Sequence, residues 1–185
     1  MLMPLAPRRA LKTVLAVAAC VCALASCQSA DKRRRAFVEQ FYAEDFRRFH
    51  DTYFLVRGLD GDGNRLVGLF CPPASATEKG NDLLAILMAT PATDSILKLT
   101  YTDQRTKCAQ VADSASLVRL ARQFLRYRVA SLGADTSGSV AVQFRSGQLG
   151  PSDLVRVSDT THLSADFHRE FSRVRGPWYE RREAE

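Results

Sequence analysis

From residue 33 to residue 50 the apolar positions recur every three or four residues. Val38, Phe41, Tyr42, Phe46 and Phe49 form one stripe, with Glu39, Gln40, Glu44 and Arg47 facing away. That spacing predicts an amphipathic helix. Asp45 falls inside the stripe, where a carboxylate is costly unless paired. Two β-rich runs follow, Thr52 to Arg57 and Arg65 to Phe70, around the Gly- and Asp-rich stretch 58–64, and they predict a hairpin. Beyond Cys71-Pro72-Pro73 the spacing Ser75-x-x-Glu78 reads as a capping box. Leu83, Leu84, Ile86, Leu87 and Met88 then predict a helix that stops before Pro91. Ser95 to Thr102 alternates, with Leu97, Leu99 and Tyr101 on one face and Lys98 and Thr100 on the other, as a strand does.

A second long stripe runs from Asp113 to Leu132, with Asp113 or Ser114 as cap and Gly133 beyond its end. Leu117, Leu120, Ala121, Phe124, Leu125 and Leu132 make its inner face; Arg119, Arg122 and Arg126 make the outer one. Arg128 falls on the apolar side. Opposite charges on the inner faces of two amphipathic helices predict a buried ion pair, Asp45 with Arg128. The competing reading lets Arg128 reach the surface on its aliphatic stem. Ser139 to Arg145 and Asp153 to Ser158 read as two further strands, and Ser164 caps a third helix carrying Leu163, Phe167, Phe171 and Val174 up to Gly176-Pro177. Trp178 and Tyr179 are expected to fold back as lids on the core. The order of helix, hairpin, helix, strand, helix, two strands and helix predicts an α+β domain with helices packed on one largely antiparallel sheet.

Ahead of all this stands a different pattern. Residues 1–12 carry Arg8, Arg9 and Lys12 and no acid, and Thr13 to Ser26 is uncharged and almost wholly apolar. The run is short of the ~20 apolar residues that span a bilayer as a helix. A basic start, a short apolar core and small residues before a cut describe a secretory signal peptide. Its last four residues, Leu24-Ala25-Ser26-Cys27, resemble the lipobox of bacterial lipoproteins. The resemblance implies a diacylglycerol thioether on the Cys27 sulfur, cleavage before Cys27 and acylation of the new amino terminus. Val17-Ala18-Ala19-Cys20 fits the same pattern loosely, but a cut there would leave an apolar tail ahead of the polar sequence. The resemblance therefore divides the chain into a signal peptide over 1–26, a lipidated start and tether over 27–32, one α+β domain over 33–179 and a charged tail over 180–185.

The leader also revises the composition. The 26 Lys+Arg and 20 Asp+Glu give a formal charge of +6, and removing the three leader bases leaves 23 against 20, net +3. That is too mild for a nucleic-acid partner, which needs a concentrated basic face. Lys32-Arg33-Arg34-Arg35 lies within reach of a lipid surface, where each base contributes ~1 kcal/mol on anionic lipid. The plainer reading of that run is a solvated first helical turn. Of the five cysteines, Cys20 and Cys22 leave with the leader, Cys27 is acylated, and Cys71 and Cys108 remain. Outside the cytoplasm these two are free to oxidise to a disulfide; the alternative is two buried thiols.

Little here points to catalysis. Asp60-x-Asp62-x-Asn64 has the beginning of a calcium loop, but Arg65 stands where the sharp turn needs glycine and Cys71 where a bidentate glutamate belongs. No metal, cofactor or catalytic residue is assigned. His50, His162 and His168 show no metal spacing and no nucleophile motif joins them to Cys71, Cys108 or a serine. The opening Phe37-Val-Glu-Gln-Phe-Tyr42 helix, the later strands and the C-terminal tryptophan resemble the cystatin-like, nuclear-transport-factor-2-type cone fold. That resemblance implies an apolar pocket, with Asp45 as the carboxylate available for chemistry. The helix expected at 113–132 departs from that family's order of helices first and strands after.

The expectation that emerges is a lipid-anchored envelope protein on the periplasmic face of an outer membrane. Gln28 follows Cys27, where an Asp would signal retention at the inner membrane. Such a protein would bind an envelope partner or stabilise an assembly without catalysis. The alternative is a ligand-binding protein or enzyme with Asp45, Arg128, Tyr42 and Phe124 around a cavity.

Overall fold

The computed structural model describes residues 31–71, 82–102, 111, 113–144 and 152–182. Among them are nine strands in one antiparallel sheet and three α-helices, a mixed α+β architecture. Helix α1 covers 31–41. The 3₁₀ turn Arg47–Phe49 leads into β1 (Thr52–Leu59) and β2 (Arg65–Cys71), followed by β3 (Asp82–Ala89) and β4 (Ile96–Tyr101). Helix α2 (Ser114–Arg126) precedes β5 (Ser131–Ala134), β6 (Val140–Gln143) and β7 (Leu154–Arg156). Helix α3 (Ala165–Glu170) precedes β8 (Phe171–Arg175) and β9 (Trp178–Arg181). Across the sheet the order is β4-β3-β2-β1-β5-β6-β7-β9-β8.

Register explains how the sheet holds together. Ala85, Leu69, Phe54, Leu132, Val142 and Leu154 are successive cross-strand partners, one from each of six adjacent strands. All six are fully buried. Burying a side chain of Leu or Phe size contributes ~1.5–3 kcal/mol, so this row is a continuous seam of the core. Phe124 of α2 stacks on Phe54 at 5.1 Å, and Phe37 of α1 and Phe46 lie edge-on to Trp178 of β9 at 5.8 and 5.9 Å. The next partner after Leu154 is Glu180, where the apolar seam ends.

Four expected helices are corrected. The first ends at 41, short of the stripe's end at Phe49, which lies in the 3₁₀ turn. The run at 83–88 is β3, between β2 and β4. Leu84, Ala85, Leu87 and Ala89 are buried and Leu83, Ile86 and Met88 half-buried, so apolar side chains occupy both faces and the sequence of the run shows no polar alternation. Such a run looks the same in a buried strand as in a buried helix. Helix α2 ends at Arg126, not Leu132: Arg128 takes φ 53°, and Leu132 belongs to β5. A left-handed residue after the last turn is a common helix stop, although usually a glycine. The third helix is one short segment capped by Ser164, which accepts the Phe167 N–H at 3.1 Å. Phe171 and Val174 lie in β8, paired with β9.

The 52–57/65–70 hairpin, the strand expected at 95–102 and the Asp113 cap stand as expected, and the strands expected at 139–145 and 153–158 appear as β6 and β7, residue 145 lying outside the described residues. Asp113 accepts the Ser116 N–H at 2.7 Å while Ser116 Oγ accepts the Asp113 N–H at 3.0 Å. Trp178 is a fully buried strand residue of the core, not a lid. At the two ends of the described residues, α1 is already helical at 31 and Glu180 and Arg181 belong to β9. At the β8–β9 turn, Gly176 has φ +53°, and a Cβ there would lie 2.5 Å from the Tyr42 hydroxyl. Only glycine suits that position.

Candidate functional site

The face of the sheet turned away from Phe54 and Phe124 carries an apolar hollow. Tyr53, Gly133, Ala141, Val155 and Tyr179 are successive cross-strand partners over β1, β5, β6, β7 and β9. The two smallest side chains sit together in the middle of that row. Tyr53 leans over Gly133, so close that a Cβ on Gly133 would lie 2.8 Å from Tyr53 Cδ2. The result is a cavity of about 450 Å³ lined by Tyr53, Gly133, Ala141, Val155 and Phe167, with Asp51, Asp135 and Ser139 also on its wall. Asp135 and Ser139 are committed to their turn: Asp135 Oδ1 accepts the Ser139 N–H at 2.9 Å and the Ser137 hydroxyl at 2.6 Å. The hollow can hold an apolar group against aromatic walls. Its lining includes no histidine and no cysteine that could serve as base or nucleophile.

The residues singled out in the sequence are scattered. Asp45 is exposed and pairs with Arg47, accepting its backbone N–H at 3.0 Å and its Nη2–H at 2.9 Å. The Arg47 side chain first, then its backbone N–H, brings the Asp45 carboxyl down from 3.8 to about 2. Arg128 is exposed, between α2 and β5. The expected Asp45–Arg128 pair is therefore absent, because α1 ends at 41 and Asp45 never reaches a helical inner face. Tyr42 packs against the β8–β9 turn beneath the Arg175 guanidinium, 4.6 Å from its ring centroid, and Phe124 is buried in the core. Asp45 lines neither this hollow nor the two cavities beside Arg128 and Phe144.

The candidate metal residues are spent on turns. Asp60 Oδ1 accepts the N–H groups of Asp62 and Asn64 at 2.9 and 2.8 Å. Among the described residues no group of three or more His, Cys, Asp or Glu side chains is placed to hold a metal ion. His162 and His168 are exposed. Cys71 is fully buried and disulfide-bonded. Cys27 and Cys108 lie outside the described residues, as do the expected leader and the lipobox-like residues 24–27. No described helix is long and apolar enough to cross a membrane.

Sequence reasoning missed one pairing. Of the basic run 32–35, Arg34 is buried while Lys32, Arg33 and Arg35 are exposed. Arg34 pairs with Asp31, and its Nε lies 3.5 Å from Glu180 Oε2, at the end of the apolar seam. The available signal was spacing, since Arg34 is one turn before Phe37 and Val38 and two before Phe41. Compared with family models, curated proteins and solved structures, the chain has no significant match in any of the three.

Proposed function

We infer that this chain is a lipid-anchored protein of a bacterial envelope, held on the periplasmic face of the outer membrane, and that its domain binds a partner there without catalysis. The observation that carries the reading joins sequence to structure. Only Gln28, Ser29 and Ala30 separate the lipobox cysteine from residue 31, where α1 is already formed. At ~3.5 Å per residue the four steps from Cys27 to Asp31 reach at most ~14 Å, so acyl chains on Cys27 would hold the domain beside the headgroups. Two or three such chains anchor firmly, at ~0.8 kcal/mol per buried methylene.

The Phe54–Phe124 and Phe37–Trp178 contacts support α1 and α2 packed on one face of the sheet, which leaves the hollow at Gly133 and Ala141 on the other as the binding surface. A cone of the nuclear-transport-factor-2 type has less support, since α2 lies between β4 and β5. Catalysis through Asp45 has none from its exposed, ion-paired position. For the disulfide of Cys71 we assign Cys108 as partner, the one other cysteine left once the leader is removed and Cys27 is acylated.

Intact-mass analysis of the membrane fraction tests the anchor. A mature amino terminus at Cys27 carrying acyl mass is expected, and its loss in Cys27→Ser. A soluble protein beginning elsewhere would overturn the reading.

A further inference from the structure

We propose a second site, for an anionic phospholipid, where α1, the end of α2 and the end of β6 meet. Two cavities adjoin there and share Arg128 and Phe144. The larger, about 650 Å³, is lined by Arg33, Gln40, Arg126, Arg128 and Phe144, with Asp94 at its wall. The smaller, about 230 Å³, is lined mainly by Val56, Leu125, Val129, Ala130 and Phe144, with Arg65 and Arg128 as its charged members.

The charge balance decides what the larger cavity accepts. Its acid is already matched, because Asp94 takes the Arg65 guanidinium at 2.8 Å. Glu44, which accepts from the Tyr127 hydroxyl at 3.3 Å, is matched with Arg48 at the same distance. Arg33 stands over the Phe144 ring at 5.9 Å. Among the described residues neither it nor Arg126 nor Arg128 is paired with a carboxylate. Three unmatched guanidiniums around one hollow suit a phosphate, which arginine binds through paired N–H groups. A free phosphate would leave the adjoining apolar hollow without a role. A phospholipid fills both, with its headgroup phosphate at the arginines and an acyl segment along Val56, Leu125 and Val129.

The site's place at a membrane rests on the anchor reading, since Arg33 lies six residues beyond Cys27. Its chemistry does not. The test uses the full chain as the cell produces it, purified in neutral detergent from whichever fraction holds it and titrated by calorimetry with dihexanoylphosphatidylglycerol, dihexanoylphosphatidylcholine and inorganic phosphate in turn. The glycerol lipid is expected to bind at least tenfold more tightly than either of the others. At about fivefold per arginine, R126Q/R128Q should weaken it about 25-fold. R122Q, an exposed α2 arginine that lines neither cavity, should leave binding unchanged. Equal binding of phosphate would overturn the lipid assignment; absence of binding, or a double variant that binds like the parent, would overturn the site. Intact mass of the same sample reports Cys27 acylation separately, so failure of the anchor and failure of the site are told apart.

Discussion

Tyr127, at the end of α2, gathers the aromatic side of the core. Its ring lies 4.8 Å from Phe41, 5.5 Å from Phe46 and 5.8 Å from Phe49, and its hydroxyl donates to Glu44 at 3.3 Å. Burial first, and the Glu44 carboxylate second, push the phenol well above its ordinary range. A raised acid is stabilising while both states keep the proton, so this contribution is whole below pH ~10 and is lost as pH rises through the folded value. Alkaline unfolding should therefore set in above pH ~10, and Tyr127→Phe should move its midpoint upward while costing about 1 kcal/mol at neutral pH for the lost hydrogen bond. Circular dichroism against pH checks both, and an unmoved midpoint would remove Tyr127 from the explanation. At this scale the sequence was half legible. Phe41, Phe46 and Phe49 were read as buried and are. Asp45 was misread because helical spacing was carried past 41, where the chain leaves the helix and spacing no longer fixes a face. Arg34 was misread because a run of four bases looks solvated, although one residue in each turn of a packed helix must point inward.

Among the elements, those with a start signal or clean alternation were legible: the Asp113 cap, the 52–71 hairpin and the strands at β4, β6 and β7. The failures have two physical sources. β3 is apolar on both faces, so it carries no period, and the helical patterns of α2 and α3 ran on into β5 and β8 because Leu132 and Phe171 fall at helical spacing from residues that are helical. Helix termination at Arg128 had no glycine to announce it. Leu132 offers a direct measurement of the difference. As the last residue of a fraying helix it would tolerate truncation, whereas in β5 it is fully buried between Phe54 and Val142. Leu132→Ala should cost about 3 kcal/mol in urea unfolding, within the usual span for a core leucine. A loss below ~1 kcal/mol would contradict its place in the central seam.

For the molecule as a whole, the open sheet has two ends and the disulfide acts on one of them. Cys71 closes β2, next to β3, and with β4 outermost this half of the sheet depends on neighbours on one side. The hollow at Gly133 and Ala141 lies in the other half, in β5 and β6. A Cys71–Cys108 bond closes a loop of roughly three dozen residues that contains β3 and β4, and in the chain-entropy model such a loop is worth about 4 kcal/mol. Because the constraint acts on the unfolded chain, Cys71→Ala and Cys108→Ser should each lose this contribution, and the double variant should lose it only once. Cys71→Ala carries a further loss from its fully buried position. Reduction of the parent protein should reproduce the Cys108→Ser value. If Cys108→Ser leaves the parent's stability untouched under oxidising conditions, Cys71 is bonded elsewhere, and the assignment of the two cysteines to one another falls. If the loss appears as expected, the β2–β4 half of the sheet owes part of its stability to an oxidised Cys71, a bond that persists only where thiols are not kept reduced.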